Sequence, residues 1–291
     1  MELDFKSAKE LLACCAESGL PISQVMRQRE CQLGETTVDA VNQRMARAWQ
    51  IMQDSALQPL QEPIKSMGGL IGGEAQKLEL HRAKGSSICG EVLQKAITYA
   101  MAVLEVNASM GLIVAAPTAG SAGVVPGLML AMKDCRQLSD EKIIDALFNA
   151  GAVGYLAMRN ATVAGAVGGC QAEIGVASAM AASAAVELMG GSPEQCLDAA
   201  STVLMNMLGL VCDPVGGLVE YPCQNRNAAG VANALIAAEL SLSGIRQLIP
   251  FDQMLDAMYA VGKRIPMELR ETALGGCAAT PSACAACGKC G

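Results

Sequence analysis

Three cysteines stand where a chain can present a thiol to a ligand. Cys170 follows Gly168-Gly169 and opens a helical pattern. Cys212 closes one and precedes Pro214 and Gly216-Gly217, while Cys223 follows Pro222 and precedes another. A thiol at a helix N-terminus ionises more readily, and a fixed thiolate is what a metal ion needs. Cys14, Cys15 and Cys196 instead fall inside helical periodicity and read as core packing. The gaps between the three, 41 and 10 residues, match no standard metal-binding spacing. The residues alone therefore leave two readings open: ligands of a metal centre, or turn positions that hold Cys.

Other polar groups lie beside these cysteines or in further Gly-rich breaks. Thr118 and Ser121, in Thr118-Ala119-Gly120-Ser121, have hydroxyls and neighbouring backbone N–H groups that suit a carboxylate, or that simply cap a turn. Asn225 and Arg226 follow Cys223 and suit either a substrate carboxylate or a sulfur of the centre. Glu173 and Asp213 sit next to Cys170 and Cys212, as supporting groups or solvated caps. The single His, His81, falls near a helix end and reads as solvated or capping; a self-sufficient zinc enzyme or hydrolase usually has more.

The elements that must position these groups are helices. Apolar residues recur at helical spacing over Phe5–Glu17, Thr37–Leu60, Glu91–Asn107, Gln171–Met189, Pro193–Leu208, Asn227–Ser243 and Phe251–Val261. Asp140 can cap a further helix from Glu141 to Arg159. Alternating β-branched runs are scarce. The predicted fold is mainly α, a single helical catalytic domain with Gly-rich interhelical loops around the site. Trp49, the only Trp, reads as a core or interface anchor.

Composition narrows the function class. With 52% hydrophobic but only 3% aromatic residues, the core must be built from Ala, Val, Leu, Ile and Met, which favours closely packed helices. A formal charge of −7 without a basic run argues against nucleic acid as a partner. Residues 1–20 lack the basic-then-apolar order of a signal peptide, so 13 Cys are expected as thiols in a reducing cytoplasm. Asn107–Met132 carries no charge over a membrane-spanning length, but Pro117, Pro126 and four Gly divide it. A buried turn between core helices is expected there, not a membrane span.

Four ordered stretches decide between the open readings: AAPTAGSAGVVPG (115–127), AVGGCQAEIGVASAMAA (166–182), LGLVCDPVGGLVEYPCQNRNA (208–228) and ELRETALGGCAATP (268–281). Together they resemble the α chain of bacterial two-subunit, iron–sulfur-dependent L-serine dehydratases, over almost the whole chain. The resemblance implies a lyase of amino-acid catabolism that converts L-serine to pyruvate and ammonia. It implies a [4Fe–4S] cluster on Cys170, Cys212 and Cys223, whose open iron serves as Lewis acid, and no pyridoxal phosphate. It also implies a β chain that supplies a Ser-Ser-Ser-His-Thr substrate loop, a motif absent here. Ser86 and Ser87 match a Lys-Ser-Leu-Ser-Gly stretch of the family and become catalytic candidates with Thr118 and Ser121, although Cys89 replaces the second Ser. On this reading residues 1–276 form the α-chain domain and 277–291 a Cys-rich tail.

The tail reads Cys284-Ala-Ala-Cys287-Gly-Lys-Cys290. Cys290 is a candidate fourth ligand of the same cluster, as in some single-chain relatives. Cys284, Cys287 and Cys290 together resemble part of a ferredoxin ligand run, and a flexible tail is the third reading. Two alternative functions stay open: the same fold acting on L-threonine or L-cysteine, and a non-catalytic iron–sulfur or zinc protein.

Overall fold

Several helix starts are written in single side chains. Ser7, Thr37 and Ser192 each accept a hydrogen bond from a backbone N–H three residues on, at Glu10, Ala40 and Gln195. The computed structural model describes residues 3–288. It contains α1 (Ala8–Ser18), α2 (Ile22–Leu33), α3 (Val38–Gln61), α4 (Glu74–Ala83), α5 (Gly90–Ala108), α6 (Val124–Arg136) and α7 (Asp140–Asn160). There follow α8 (Gly165–Gly168), α9 (Val176–Leu188), α10 (Pro193–Asn206), α11 (Cys223–Leu242), α12 (Phe251–Gly262) and α13 (Pro281–Cys287). Among the described residues no strand forms; one isolated parallel bridge joins Cys212 and Arg270.

The core is centred on α9. Every residue from Val176 to Val186 is buried, eight of them Ala or Ser, so this helix is apolar all round. It packs against α6, α7, α10 and α11. Small residues also set the α5–α6 contact. A Cβ added at Gly123 would lie 2.2 Å from the Ala100 carbonyl oxygen, and one at Gly127 2.9 Å from Ala100 Cβ. Trp49 is buried and donates from Nε1 to Asp140 at 2.6 Å. No helix among the described residues is long and apolar enough to cross a membrane.

The structure corrects several sequence expectations. The uncharged segment 107–132 is not only a turn: its second half is α6. Pro126 lies in the first helical turn, where its missing N–H has no intrahelical partner to lose. Helices α2 and α4 are rich in charged and amide residues and were missed. Ser139, not Asp140, occupies the cap position of α7, because Asp140 binds Trp49 and Lys133. Cys212 does not close α10, which ends at Asn206; it lies in an extended segment.

Cys15 and Cys196 behave as core residues, 4% and 0% exposed. Burial, followed by the charge of Glu187, pushes the Cys15 thiol up to about 12 from an ordinary 9.0. The unfolded chain therefore releases this proton near pH 9, whereas the folded chain keeps it to about pH 12. Stability from this group is complete below pH 9 and is lost as pH rises through that window. Urea unfolding of the metal-free chain from pH 8 to 11 is expected to show a gentler loss of stability for Cys15→Ala than for wild type. Equal slopes would contradict it.

Candidate metal centre

A local widening of the helix places the first donors. After α8 the backbone turns at Gly169 (φ +76°) into Cys170, and Gln171–Gly175 forms a single π-helical turn before α9. Such turns are frequent at functional sites. Here Cys170 and Glu173 face the same pocket. Gln171, fully buried, ties three segments together. Its Nε2 donates to the Gly168 and Met258 carbonyls at 2.8 and 2.9 Å, and its Oε1 accepts from Gly209 N–H at 2.8 Å.

Cys212 arrives from a different direction. Its N–H donates to Leu269 O at 2.9 Å and its carbonyl accepts from Glu271 N–H at 2.6 Å. A two-sided backbone clamp thus fixes the thiol without help from a helix. Cys223 is buried in the first turn of α11, four residues earlier than the predicted helix start. Asn227, one turn on, donates to Cys223 O at 2.9 Å and Gly120 O at 2.8 Å, and accepts from Gly123 N–H at 3.0 Å. It locks the Cys223 turn to the Thr118–Gly123 turn.

The ligand atoms of Cys170, Glu173 and Cys212 all lie within 4.8 Å of one another. Glu173 Oε2 is 4.0 Å from Cys170 Sγ and 3.8 Å from Cys212 Sγ. Thr118 Oγ1 donates to Glu173 Oε1 at 2.9 Å and contacts Ser121 Oγ at 3.1 Å. Arg226 lies against the same group: Nη1 is 3.5 Å from Cys170 Sγ and 2.9 Å from Val211 O, and Nη2 pairs with buried Asp213 at 2.7 Å. Room for the carboxylate depends on Gly165. A Cβ there would stand 2.5 Å from Glu173 Oε2 and 3.0 Å from Cys212 Sγ.

Electrostatically this pocket suits a cation. Burial raises the Glu173 pKa, Thr118 opposes, and Glu271 adds repulsion. The Cys212 thiol is pushed up by its hydrogen bond with Cys170 and then by burial. Burial, with Cys170 and Glu173 nearby, pushes Cys223 up to about 12 against the pull of Arg226. In the metal-free chain Cys212 and Cys223 thus hold their protons, and a metal that binds them must displace those protons. Cys223 lies outside the 4.8 Å group but shares its field. The donor set therefore fits a soft metal centre: thiolates from three segments, with a carboxylate oxygen beside two of them.

Of the other sequence candidates, the structure gathers some and leaves others apart. Thr118, Ser121 and Arg226 stand at the centre. Asn225 is exposed on α11. Ser86 and Ser87 lie in the turn between α4 and α5, where Ser87 Oγ accepts from Cys89 N–H at 3.2 Å; among the described residues neither bonds to the cysteine group. His81 is exposed in the last turn of α4. The C-terminal segment packs onto the Cys212 loop. Cys277 N–H donates to Asp213 Oδ2 at 2.6 Å, and α13 meets the Val215–Gly217 turn. Cys284 and Cys287 make thiol contacts to main-chain oxygens, Ala278 O and Cys284 O, at 3.8 and 3.6 Å. Cys290 lies outside the described residues.

Residues 17–278 match the model of the family described as serine dehydratase alpha chain. The chain belongs to the serine dehydratase alpha chain family. The probable L-serine dehydratase alpha chain of Bacillus subtilis is 48% identical over 96% of this chain and 92% of that protein. The L-serine dehydratase alpha chain of Peptoniphilus asaccharolyticus is 43% identical over 94% and 93%. The L-serine dehydratase of Helicobacter pylori is 37% identical over 95% of this chain, but only 62% of its own length is matched. Two residues of the centre, Gln171 and Asn227, were missed by sequence reasoning. Their signal was spacing: Gln171 abuts Cys170, and Asn227 lies four residues from Cys223 on the same helix.

Proposed function

We propose that this chain is the cluster-bearing subunit of an L-serine ammonia-lyase, converting L-serine to pyruvate and ammonia. The observation that carries the reading is the Cys170–Glu173–Cys212 donor group, with Cys223 beside it, in a chain of this family. Cys170, Cys212 and Cys223 would hold a [4Fe–4S] cluster. When bound, such a cluster supplies an iron Lewis acid for the serine hydroxyl, a poor leaving group.

The chain's own residues prepare that chemistry. Arg226 sets a positive charge against the Cys170 sulfur, and Asp213 fixes the guanidinium. Gln171 and Asn227 keep the three cysteine segments in register. Thr118 orients Glu173 and, with Ser121, forms the polar wall of the pocket. Loss of the α-proton and the β-hydroxyl gives aminoacrylate and water. Aminoacrylate tautomerises to an imine, and hydrolysis consumes that water to give pyruvate and ammonia.

A partner completes the site. Two relatives are named alpha chains, and the longer H. pylori protein extends well beyond the matched region. The second chain supplies the remaining substrate contacts, and the complex works in the reducing cytoplasm. Anaerobic co-expression with that chain, followed by assays on L-serine, L-threonine and L-cysteine, tests this reading. Turnover of L-serine without added pyridoxal phosphate is expected to exceed the other two; turnover that required added pyridoxal phosphate would contradict it.

A further inference from the structure

Three cysteines leave one iron of a [4Fe–4S] cluster without a thiolate, and the pocket contains a fourth donor. We propose that Glu173 is that donor, a carboxylate ligand that holds the open iron at rest and yields it to the substrate. This rests on the cluster reading given under Proposed function.

Four observations support it. One oxygen of Glu173, Oε2, faces the sulfurs of Cys212 and Cys170 and accepts from their thiols at 3.8 and 4.0 Å. The other oxygen is anchored by Thr118 at 2.9 Å, so the carboxylate is aimed. Anchoring one side of a ligand while the other meets the metal is the usual way a protein orients it. No cation pairs with Glu173 among the described residues: the nearby guanidinium of Arg226 is engaged with Asp213, Val211 O and Cys170. An ionised carboxylate buried beside thiols without a cation is costly, and a metal removes that cost. Finally, Gly165 and Gly120 clear the space, with Cβ positions 2.5 Å from Oε2 and 3.4 Å from Oε1.

The ligand type also suits the reaction. A carboxylate oxygen binds iron less firmly than a thiolate does, so an incoming substrate oxygen can replace it. A fourth thiolate would protect the iron better but release it less readily.

The test is the rate at which the fourth iron is lost. Wild type, Glu173→Gln, Thr118→Val and Cys290→Ser are reconstituted anaerobically with iron and sulfide. Each is then titrated with ferricyanide, while electron paramagnetic resonance follows the three-iron form. Glu173→Gln is expected to keep the three cysteine-held irons and lose the fourth about tenfold faster, the low end for a weakened metal site. Thr118→Val, which keeps the carboxylate but frees it, should fall between, with Thr118→Ser restoring the wild-type rate. Cys290→Ser is expected to match wild type. Wild-type kinetics in both Glu173→Gln and Thr118→Val, or accelerated loss in Cys290→Ser alone, would overturn the assignment. If Glu173→Gln fails to fold by circular dichroism, the Thr118 pair decides. A wild-type chain that took up no iron would defeat the underlying reading as well, whereas the other failures would defeat this assignment alone.

Discussion

Cys212→Ala is expected to abolish iron uptake while leaving the helical fold in place. The backbone clamp of residue 212, to Leu269 O and Glu271 N–H, does not involve the side chain and is available to alanine. What disappears is a thiol that its hydrogen bond with Cys170, and then burial, keep protonated until a metal displaces the proton. The metal-free variant should therefore stay folded, losing about 1–2 kcal/mol for the truncated buried thiol. Its reconstituted visible absorbance should fall to background, and pyruvate formation by the complex should drop at least about a hundredfold, the upper end for loss of a group that only supports a metal ligand. Cys170→Ala and Cys223→Ala should behave alike. Cys196→Ala opens a cavity in α10 and also costs about 1–2 kcal/mol, yet keeps the iron. Retained iron in Cys212→Ala would remove this residue from the ligand set.

Gly165→Ala separates the site from the scaffold even more sharply. In a helix, Ala replacing Gly normally stabilises by about 1 kcal/mol. At this position the new methyl would meet Glu173 Oε2 at 2.5 Å and Cys212 Sγ at 3.0 Å. Overpacking of that kind costs about 1–3 kcal/mol, so the net change in stability should be small. The cost falls on the two donor atoms, which must move apart. Iron per chain after anaerobic reconstitution is expected to drop about tenfold or more, with the thermal midpoint shifted by only a few degrees. Full iron loading in a folded Gly165→Ala chain would show that the observed carboxylate position is not needed.

Much of the scaffold was legible because its helices carry strong apolar periodicity. Helices α3, α5, α7, α10 and α12 fall within about two residues of the periodic runs, as expected where burial and hydrogen bonding agree. Helix α6 was hidden because Pro126 and its glycines read as breakers, although a first-turn Pro and tightly packed Gly are compatible with a helix. The location of Cys212 was not legible for a different reason. Its clamp comes from residues 269 and 271, nearly 60 positions away, and no local pattern announces it. Glu173 stood next to Cys170 in sequence, but only the π turn and the empty space at Gly165 show that it is aimed at both thiols. Ser86 and Ser87 illustrate the reverse case: a motif match that the fold places in a turn without a bond to the centre.

The most direct test is the iron and acid-labile sulfide content of the chain purified anaerobically with its partner, read alongside pyruvate formation from L-serine. About four irons and four sulfides per chain are expected, lost together with activity on exposure to air. A complex without iron that still made pyruvate from L-serine would contradict the cluster reading.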